Sequence, residues 1–187
     1  MLLKLEEGAG GIAATLLELP DRPAIALEIA GAAPLDAFAA NIAVATDGQD
    51  RLTGTFALNQ TAAAQTIRLN VAGDVTPLFA PAYQDFFGND VRLNAQVVRA
   101  TDGRIEVPEL ALDAGRIALN GKLQIDAQGW PEVIDLRGGI TSQGDAPVLL
   151  PLAGPQTFVD GMDLIIAYDG SVSDEWRADI SIDAFAR

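Results

Sequence analysis

The sequence predicts a mainly β protein, an antiparallel meander of about ten strands curled into an open trough with two short helices. Two observations carry this prediction. Apolar and polar residues alternate in runs of strand length. The runs are joined by tight-turn dipeptides, which favours antiparallel pairing of neighbours. A parallel α/β sheet is excluded because no helix separates successive runs.

The stretch 90–131 shows this alternation most clearly. In its last run, from Arg116 to Asp126, apolar side chains occupy one face and polar side chains the other. A first run that starts at Val91 has the same pattern. The apolar members of both runs are predicted to line the interior of the trough: Val91, Leu93, Val97, Ile117, Leu119, Leu123 and Ile125.

The first half of the chain contains both predicted helices. Apolar residues near helical spacing predict the first helix over 5–19, ended by Pro20 and Pro23. Four strand-like runs follow between residues 25 and 74, with a turn at Asp47–Asp50.

The second helix is predicted over 76–88. Thr76 suits the N-cap, Pro77 the first turn and Gly88 the exit, although Pro81 lies inside the run. Its aromatic residues form one stripe at i, i+4, i+7 and i+8. They are predicted to be a plug packed on the sheet or a contact surface for a partner: Phe79, Tyr83, Phe86 and Phe87.

Turn-forming dipeptides and one change of apolar parity predict the strand connections in the second half of the chain. Asp102-Gly103 predicts a two-residue hairpin, and the change of apolar parity at Pro108-Glu109 predicts a bulge or an edge position and a bend of the sheet. Residues 145–156 are predicted to be an apolar loop, followed by a terminal hairpin around Asp169-Gly170. We predict a single segment over 1–187, with a first sheet section and both helices in 1–88 and a second section in 89–187.

Composition excludes several classes of function. A net charge of −14 disfavours nucleic acid and anionic lipid surfaces as partners. The absence of histidine and cysteine excludes zinc ligation and every catalytic arrangement built on these residues. The hydrophobic fraction of 49% with only 6% aromatic residues indicates small and branched apolar side chains. Roughly two-thirds of the surface is expected to be buried on folding.

The acidic residues suggest no reaction centre. Several occur beside glycine in turns, as Asp47 and Asp102 do, and others fall on the polar faces of strands. No Asp-rich calcium loop is present. We therefore predict no catalytic, cofactor or metal site, and a protein that is not an enzyme. The sequence also shows no signal peptide and no apolar run of about 18 residues, and it is interpreted as an internal fragment of a longer repeat protein.

Several segments resemble the TamB family of translocation and assembly module subunits, within the AsmA-like superfamily. The resemblance extends over roughly residues 5–140. The segments that carry it are Leu119–Asp126 followed by Gly129–Pro131, Gly31–Phe38 leading into Ile42–Gly48, Pro77–Tyr83, and Phe86–Gly88.

This resemblance implies a periplasmic protein whose parent is anchored in the inner membrane of a Gram-negative bacterium. It implies a long β-sheet with an apolar groove that conducts phospholipid towards the outer membrane. The implied partners are phospholipid acyl chains and, through the parent protein, an Omp85-family outer-membrane barrel that acts in outer-membrane biogenesis and protein secretion. The family offers no catalytic residues to carry over.

Two alternatives stay open. The same one-faced strands also suit a β-sandwich, as in a surface or extracellular structural or adhesin-type module that binds a protein partner. An enzyme of the carboxylate-hydrolase type requires carboxylates that converge in a pocket away from the turns.

Overall fold

A computed structural model describes residues 2–32, 34, 36–142, 146–151, 156–172 and 177–186, which build one antiparallel sheet. The strands are β1 Leu2–Glu7, β2 Ile25–Ala32, β3 Ala37–Thr46, β4 Gln49–Gln60, β5 Ala64–Gly73, β6 Val91–Ala100, β7 Ile105–Ala114, β8 Ile117–Ile125, β9 Pro131–Thr141, β10 Val148–Leu149, β11 Thr157–Asp169 and β12 Arg177–Ala186. The predicted mainly β, open antiparallel meander with two short helices is confirmed, with twelve strands in place of about ten.

The sheet follows the chain almost without exception. Consecutive strands from β1 to β9 pair with each other, β11 pairs with β9 and β12, and the short β10 continues the β9 edge of β11. Within the described ranges β1 and β12 pair on one side only, so the sheet is open. The pairing of β5 with β6 runs along both strands, so the sheet is continuous across the predicted division at residues 88 and 89.

The strand register separates the two faces. Residues directly opposite each other on antiparallel strands point to the same side. One row therefore crosses the sheet through Ile29, Ile42, Gly54, Val71, Leu93, Leu112, Leu119, Gly138 and Leu164. We call this side of the sheet the apolar face. The opposite side, which carries Asn41, Thr55, Asn70, Asn94 and Asn120 in one row, is the polar face.

The two ends of the strands form two unlike rims. At one end lie the connections 8–24, 47–48, 74–90, 115–116 and 142–156, and we call it the covered rim. At the other end lie 33–36, 61–63, 101–104, 126–130 and 170–176, and we call it the open rim. Every helical turn and the added strand that the structure describes in these connections lie at the covered rim.

Burial is concentrated at the covered rim. Most of the fully buried apolar side chains are there: Ala14, Val75, Phe86, Ala114, Ile140, Val148 and Val159. A compact monomer of 19.6 kDa exposes about 8,600 Å², whereas this chain exposes 11678 Å². The unfolded chain would expose about 28,000 Å², so folding buries about 60% of it. The expected two-thirds was too high because a single sheet leaves one apolar face without a second layer.

The first predicted helix is wrong in extent. Residues 2–7 form the edge strand β1, and the helix α1 covers only Ile12–Leu16. Strand pairing with β2 prevails over the helical spacing of the leucines. The short helix is held by Glu7, whose carboxylate accepts hydrogen bonds from the N–H groups of Ala13 at 2.8 Å and Ala14 at 3.1 Å.

The second predicted helix is broken into pieces. It consists of two 3₁₀ turns, Thr76–Leu78 and Pro81–Tyr83, and the helix α2, Gln84–Phe87. Pro81 has no N–H to continue a helix from the first turn, so the chain restarts there. We call residues 74–90 the aromatic segment.

The turn and loop predictions have mixed outcomes. The turn predicted over Asp47–Asp50 is confirmed only at Asp47-Gly48, because β4 begins at Gln49. The terminal hairpin of β11 and β12 is confirmed, and so is the bulge, which shifts the β7–β8 register between Val107 and Leu110. The two-residue hairpin at Asp102-Gly103 is wrong, since the strands stop at Ala100 and resume at Ile105. The carboxylate of Asp102 accepts the Arg104 N–H at 3.0 Å, which stabilises the longer turn. The predicted apolar loop contains the short strand β10, although 145 and 152–155 lie outside the described residues.

Candidate functional site

The residues predicted to line the groove all lie on the apolar face. Val91, Leu93 and Val97 alternate along β6, and Ile117, Leu119, Leu123 and Ile125 alternate along β8. All are half-buried, because neighbouring strands flank them and no second sheet lies above them among the described residues. The structure therefore brings the predicted set onto one side of the molecule.

The apolar face is large enough to hold extended hydrocarbon. Four rows of alternating residues spaced by about 6.8 Å give a width of about 20 Å along the strands. Strands spaced by about 4.8 Å give a length of about 48 Å from β1 to β12. One leaflet of a bilayer has a hydrocarbon thickness of about 15 Å. About three acyl chains placed end to end therefore match the length of the face.

The aromatic segment closes part of this face at the covered rim. Phe86 is buried in a cluster with Ile140, Val148 and Val159, and Ile117 packs against the same cluster. Phe87 stacks on Phe79 with ring centroids 3.7 Å apart and meets Phe86 edge-on at 5.0 Å. Tyr83 is half-buried in the second 3₁₀ turn. The segment thus covers the Ile117 end of the predicted lining and leaves the Leu123 end uncovered.

The segment is positioned by main-chain contacts to the turn between β7 and β8. The Arg116 N–H donates to the Phe86 carbonyl oxygen at 2.9 Å. Gly115 has a positive φ of 50°, and a Cβ there would lie 2.6 Å from the Phe87 carbonyl carbon. Glycine at this position is required both by the backbone conformation and by the close approach of the segment.

Two glycines on the apolar face bring neighbouring strands unusually close. A Cβ on Gly54 would overlap the Asn70 carbonyl oxygen of β5, and a Cβ on Gly121 would overlap the Asp135 carbonyl oxygen of β9. Gly in a strand interior marks a close backbone approach or a kink. The two positions occur in the same sequence pattern, Leu-x-Gly-x-apolar-x-apolar, which starts at Leu52 in β4 and at Leu119 in β8.

The polar face carries short-range interactions typical of a wet surface. Arg68 donates to the Gln96 side-chain oxygen at 2.9 Å across β5 and β6. Lys4 forms a salt bridge with Glu28 at 2.8 Å, and this hydrogen bond and charge raise the pKa of the lysine. Hydrogen bonds from Ser171 lower the pKa of Asp169, and the Arg104 N–H lowers that of Asp102. Exposed pairs of this kind contribute little stability, and they show no shared proton or converging carboxylates.

One pocket of about 540 Å³ lies at the covered rim beside the aromatic segment. Its ionisable lining residues are Asp85, Asp90, Asp113 and Arg116. The Arg116 Nη1 atom is buried and has no hydrogen-bond partner within the described ranges. Asp90 pairs instead with Arg92 at 2.6 Å. The pocket is therefore acidic and open to solvent.

No group of three or more acidic, histidine or cysteine side chains placed to hold a metal ion occurs within the described part of the chain. Among the described helices, none combines the length and hydropathy that a membrane span requires. Comparisons with protein-family models, with curated proteins and with solved structures found no match.

Sequence reasoning missed part of this site. Strand β1 extends the apolar face with Leu3 and Leu5, which are 40% and 55% exposed. Alternation over residues 2–7 was a usable signal, since Lys4 and Glu6 separate the leucines. The rim asymmetry was also missed. It follows from the strand count, because 8–24, 74–90 and 142–156 are the first, fifth and ninth connections, and odd-numbered connections of a meander lie at the same end of the strands.

Proposed function

We propose that this chain is a non-enzymatic segment of a periplasmic envelope-spanning protein, and that its apolar face conducts phospholipid or assists outer-membrane protein assembly. The observation that carries the proposal is a continuous apolar face, about 48 Å long by strand spacing, that stays half-exposed in a chain with net charge −14. Monomeric soluble proteins rarely leave apolar patches of more than a few hundred Å² uncovered.

The energetics favour hydrocarbon on this face. Each methylene removed from water stabilises a complex by about 0.8 kcal/mol. Ten methylenes therefore supply about 8 kcal/mol, which corresponds to about micromolar affinity before ordering costs. Binding of this strength permits both capture and release. Acyl chains also need no hydrogen-bonding groups, and the side chains of the apolar face offer almost none.

The resemblance of the sequence to the TamB family supports the same proposal. It supplies the periplasmic location, the anchored parent and the Omp85-family partner, each of which belongs to the proposal. The alternative of an adhesin-type sandwich requires a second packed sheet, whereas the described residues form one sheet.

Lipid uptake by purified protein tests the proposal. Lipids extracted from the wild-type chain are identified by mass spectrometry, and binding of a fluorescent phospholipid is measured. We expect Leu123→Glu, on the uncovered part of the apolar face, to reduce lipid binding at least tenfold. The matched control Gln124→Glu introduces the same charge on the polar face of β8 and leaves binding unchanged.

Circular dichroism and urea unfolding show whether each variant is folded, so that a loss of lipid binding can be separated from unfolding. If the wild type holds no lipid, or if both variants bind lipid equally, the proposed function is wrong. If Leu123→Glu unfolds the sheet while wild-type protein binds no lipid, Leu123 is ordinary core.

A further inference from the structure

The apolar face ends at the open rim in a row of polar residues. Leu58, Ile67 and Val97 are directly opposite one another in the last apolar row of β4, β5 and β6. Two residues further along each of these strands, on the same face, the register pairs Gln60 with Gln65 and Gln65 with Arg99. We call Gln60, Gln65 and Arg99 the polar lip.

The polar lip lines a pocket of about 240 Å³ that contains hydrogen-bonding groups and one cation. Its other lining residues are Thr61, Ala64, Ala100, Thr101 and Gly103. None of the lining residues carries a carboxylate. The side chains can present the guanidinium and two amide groups as donors, about 6.8 Å from the apolar row.

Arg99 has no ion pair among the described residues, in contrast to four other arginines of the chain. Arg92, Arg104, Arg137 and Arg177 each bind an aspartate two residues away. The nearest acidic residue in sequence, Asp102, is engaged by Arg104 at 2.9 Å. Arg99 is exposed and forms no salt bridge with any described residue. Its charge is thus available to an anion.

The covered rim offers the opposite environment. The pocket beside the aromatic segment has three aspartates around Arg116, so it repels anions. Of these two rims, only the open rim is electrostatically favourable for a phosphate. The phosphate of an amphiphile that lies across the apolar face is therefore expected at the open rim between β4 and β6.

We propose that the polar lip binds the phosphodiester of a phospholipid whose acyl chain lies on the apolar face beside Leu58, Ile67 and Val97. Arginine matches phosphate oxygens with two parallel N–H donors, and the two glutamine amides add neutral donors. The inference rests on the proposed function, because it assigns the polar end of the same ligand. It gives that ligand an orientation, with its headgroup at the open rim.

Binding of two lipids to the full chain tests the lip. The probes are phosphatidylethanolamine and diacylglycerol with the same acyl chains, and a third arm uses glycerol phosphate alone. Phosphatidylethanolamine has no net charge, so the −14 charge of the chain does not repel it at long range. We expect Arg99→Gln to weaken phosphatidylethanolamine binding about tenfold and to leave diacylglycerol binding unchanged. The matched control Arg68→Gln removes an exposed arginine from the polar face of β5 and leaves both unchanged.

Each other outcome has one meaning. If wild-type protein binds neither lipid, the proposed function is overturned. If both lipids bind but Arg99→Gln behaves as Arg68→Gln does, the acyl-chain site stands and the polar lip is overturned as a headgroup site. Glycerol phosphate that binds as tightly as phosphatidylethanolamine also overturns it, because the site then takes a free anion without the apolar face.

Discussion

At the scale of single residues, Glu7 links the end of strand β1 to the start of helix α1. Its backbone pairs with Ile25 as the last residue of β1. Its carboxylate reaches the first turn of α1 and accepts the N–H groups of Ala13 and Ala14. A Cβ on Gly11 would overlap this carboxylate, so glycine makes the room for it. The helix has no capping side chain at its own N-cap position.

This arrangement predicts a pH dependence for α1. Hydrogen bonds from the Ala13 and Ala14 N–H groups lower the pKa of Glu7 in the folded state. A carboxyl whose pKa is lowered on folding contributes stability that is full above its ordinary pKa and is lost as pH falls through the folded value. We expect the protection of the Ala13 and Ala14 amides, measured relative to their intrinsic exchange rates at each pH, to fall on acidification below about pH 4.3. Glu7→Gln should remove this pH dependence of the protection, whereas Glu6→Gln on the same strand keeps it. Equal profiles for Glu7→Gln and wild type would contradict the assignment.

At the scale of elements, burial of the Phe86 ring contributes more to holding the aromatic segment in place than its short helical turns do. Its two 3₁₀ turns and one-turn helix lack side-chain caps, and so short a helix is not stable alone. Phe86 is 6% exposed, and it packs against β9, β10 and β11 residues. Docking of this ring therefore joins the covered rim of the central strands to that of the C-terminal strands.

Removal of the ring should loosen that rim. We expect Phe86→Ala to destabilise the protein by about 3 kcal/mol, with a smaller loss of about 1 to 2 kcal/mol for Phe79→Ala, whose half-buried ring stacks on Phe87. Urea unfolding followed by fluorescence and circular dichroism measures both. Equal losses for the two variants would show that the segment is held by mutual ring stacking instead of by insertion of Phe86.

The elements also show what the sequence predicts and what it leaves open. Alternation in β6 and β8 assigns the faces correctly, because strand periodicity is local. The parity change at Pro108 correctly predicts the bulge for the same reason. The helix over 5–19 is wrong because pairing of β1 with β2 is a contact between distant residues that local spacing does not report. The break at Pro81 is a local signal, but the docking of Phe86 onto Val148 and Val159 depends on the long-range order of β9 to β11.

The polar lip is another feature that depends on long-range strand pairing and that local sequence patterns do not report. Gln60, Gln65 and Arg99 follow apolar residues in ordinary alternation, so each alone reads as a solvated strand end. Only the register between three strands places them side by side. The sequence therefore predicts which residues form the apolar face. The strand pairing is needed to show that three polar side chains lie side by side at its end.

At the scale of the whole molecule, the open meander resembles a repeat protein more than a globular one. The main packing contacts of each long strand are with its immediate neighbours in the sheet. In such one-dimensional assemblies stability is approximately a sum of neighbour terms, and the ends are less stable than the middle. The hydrophobic cluster of buried side chains, formed by Phe86, Ile140, Val148 and Val159, also packs against the later strands of the sheet.

Native-state hydrogen exchange should therefore report a gradient along the sheet. We expect the amides of β7 to β9 to exchange slowest, since these strands are paired on both sides and lie against the aromatic segment. The edge strand β1 should exchange fastest, because it pairs with β2 alone and its side chains are mostly exposed. Phe86→Ala should raise exchange in β8, β9 and β11 while leaving β2 to β4 unchanged, because its ring contacts only the former group among the long strands. Uniform exchange in all strands would instead indicate one cooperative unit, and would require coupling through the apolar face that neighbour pairing does not supply.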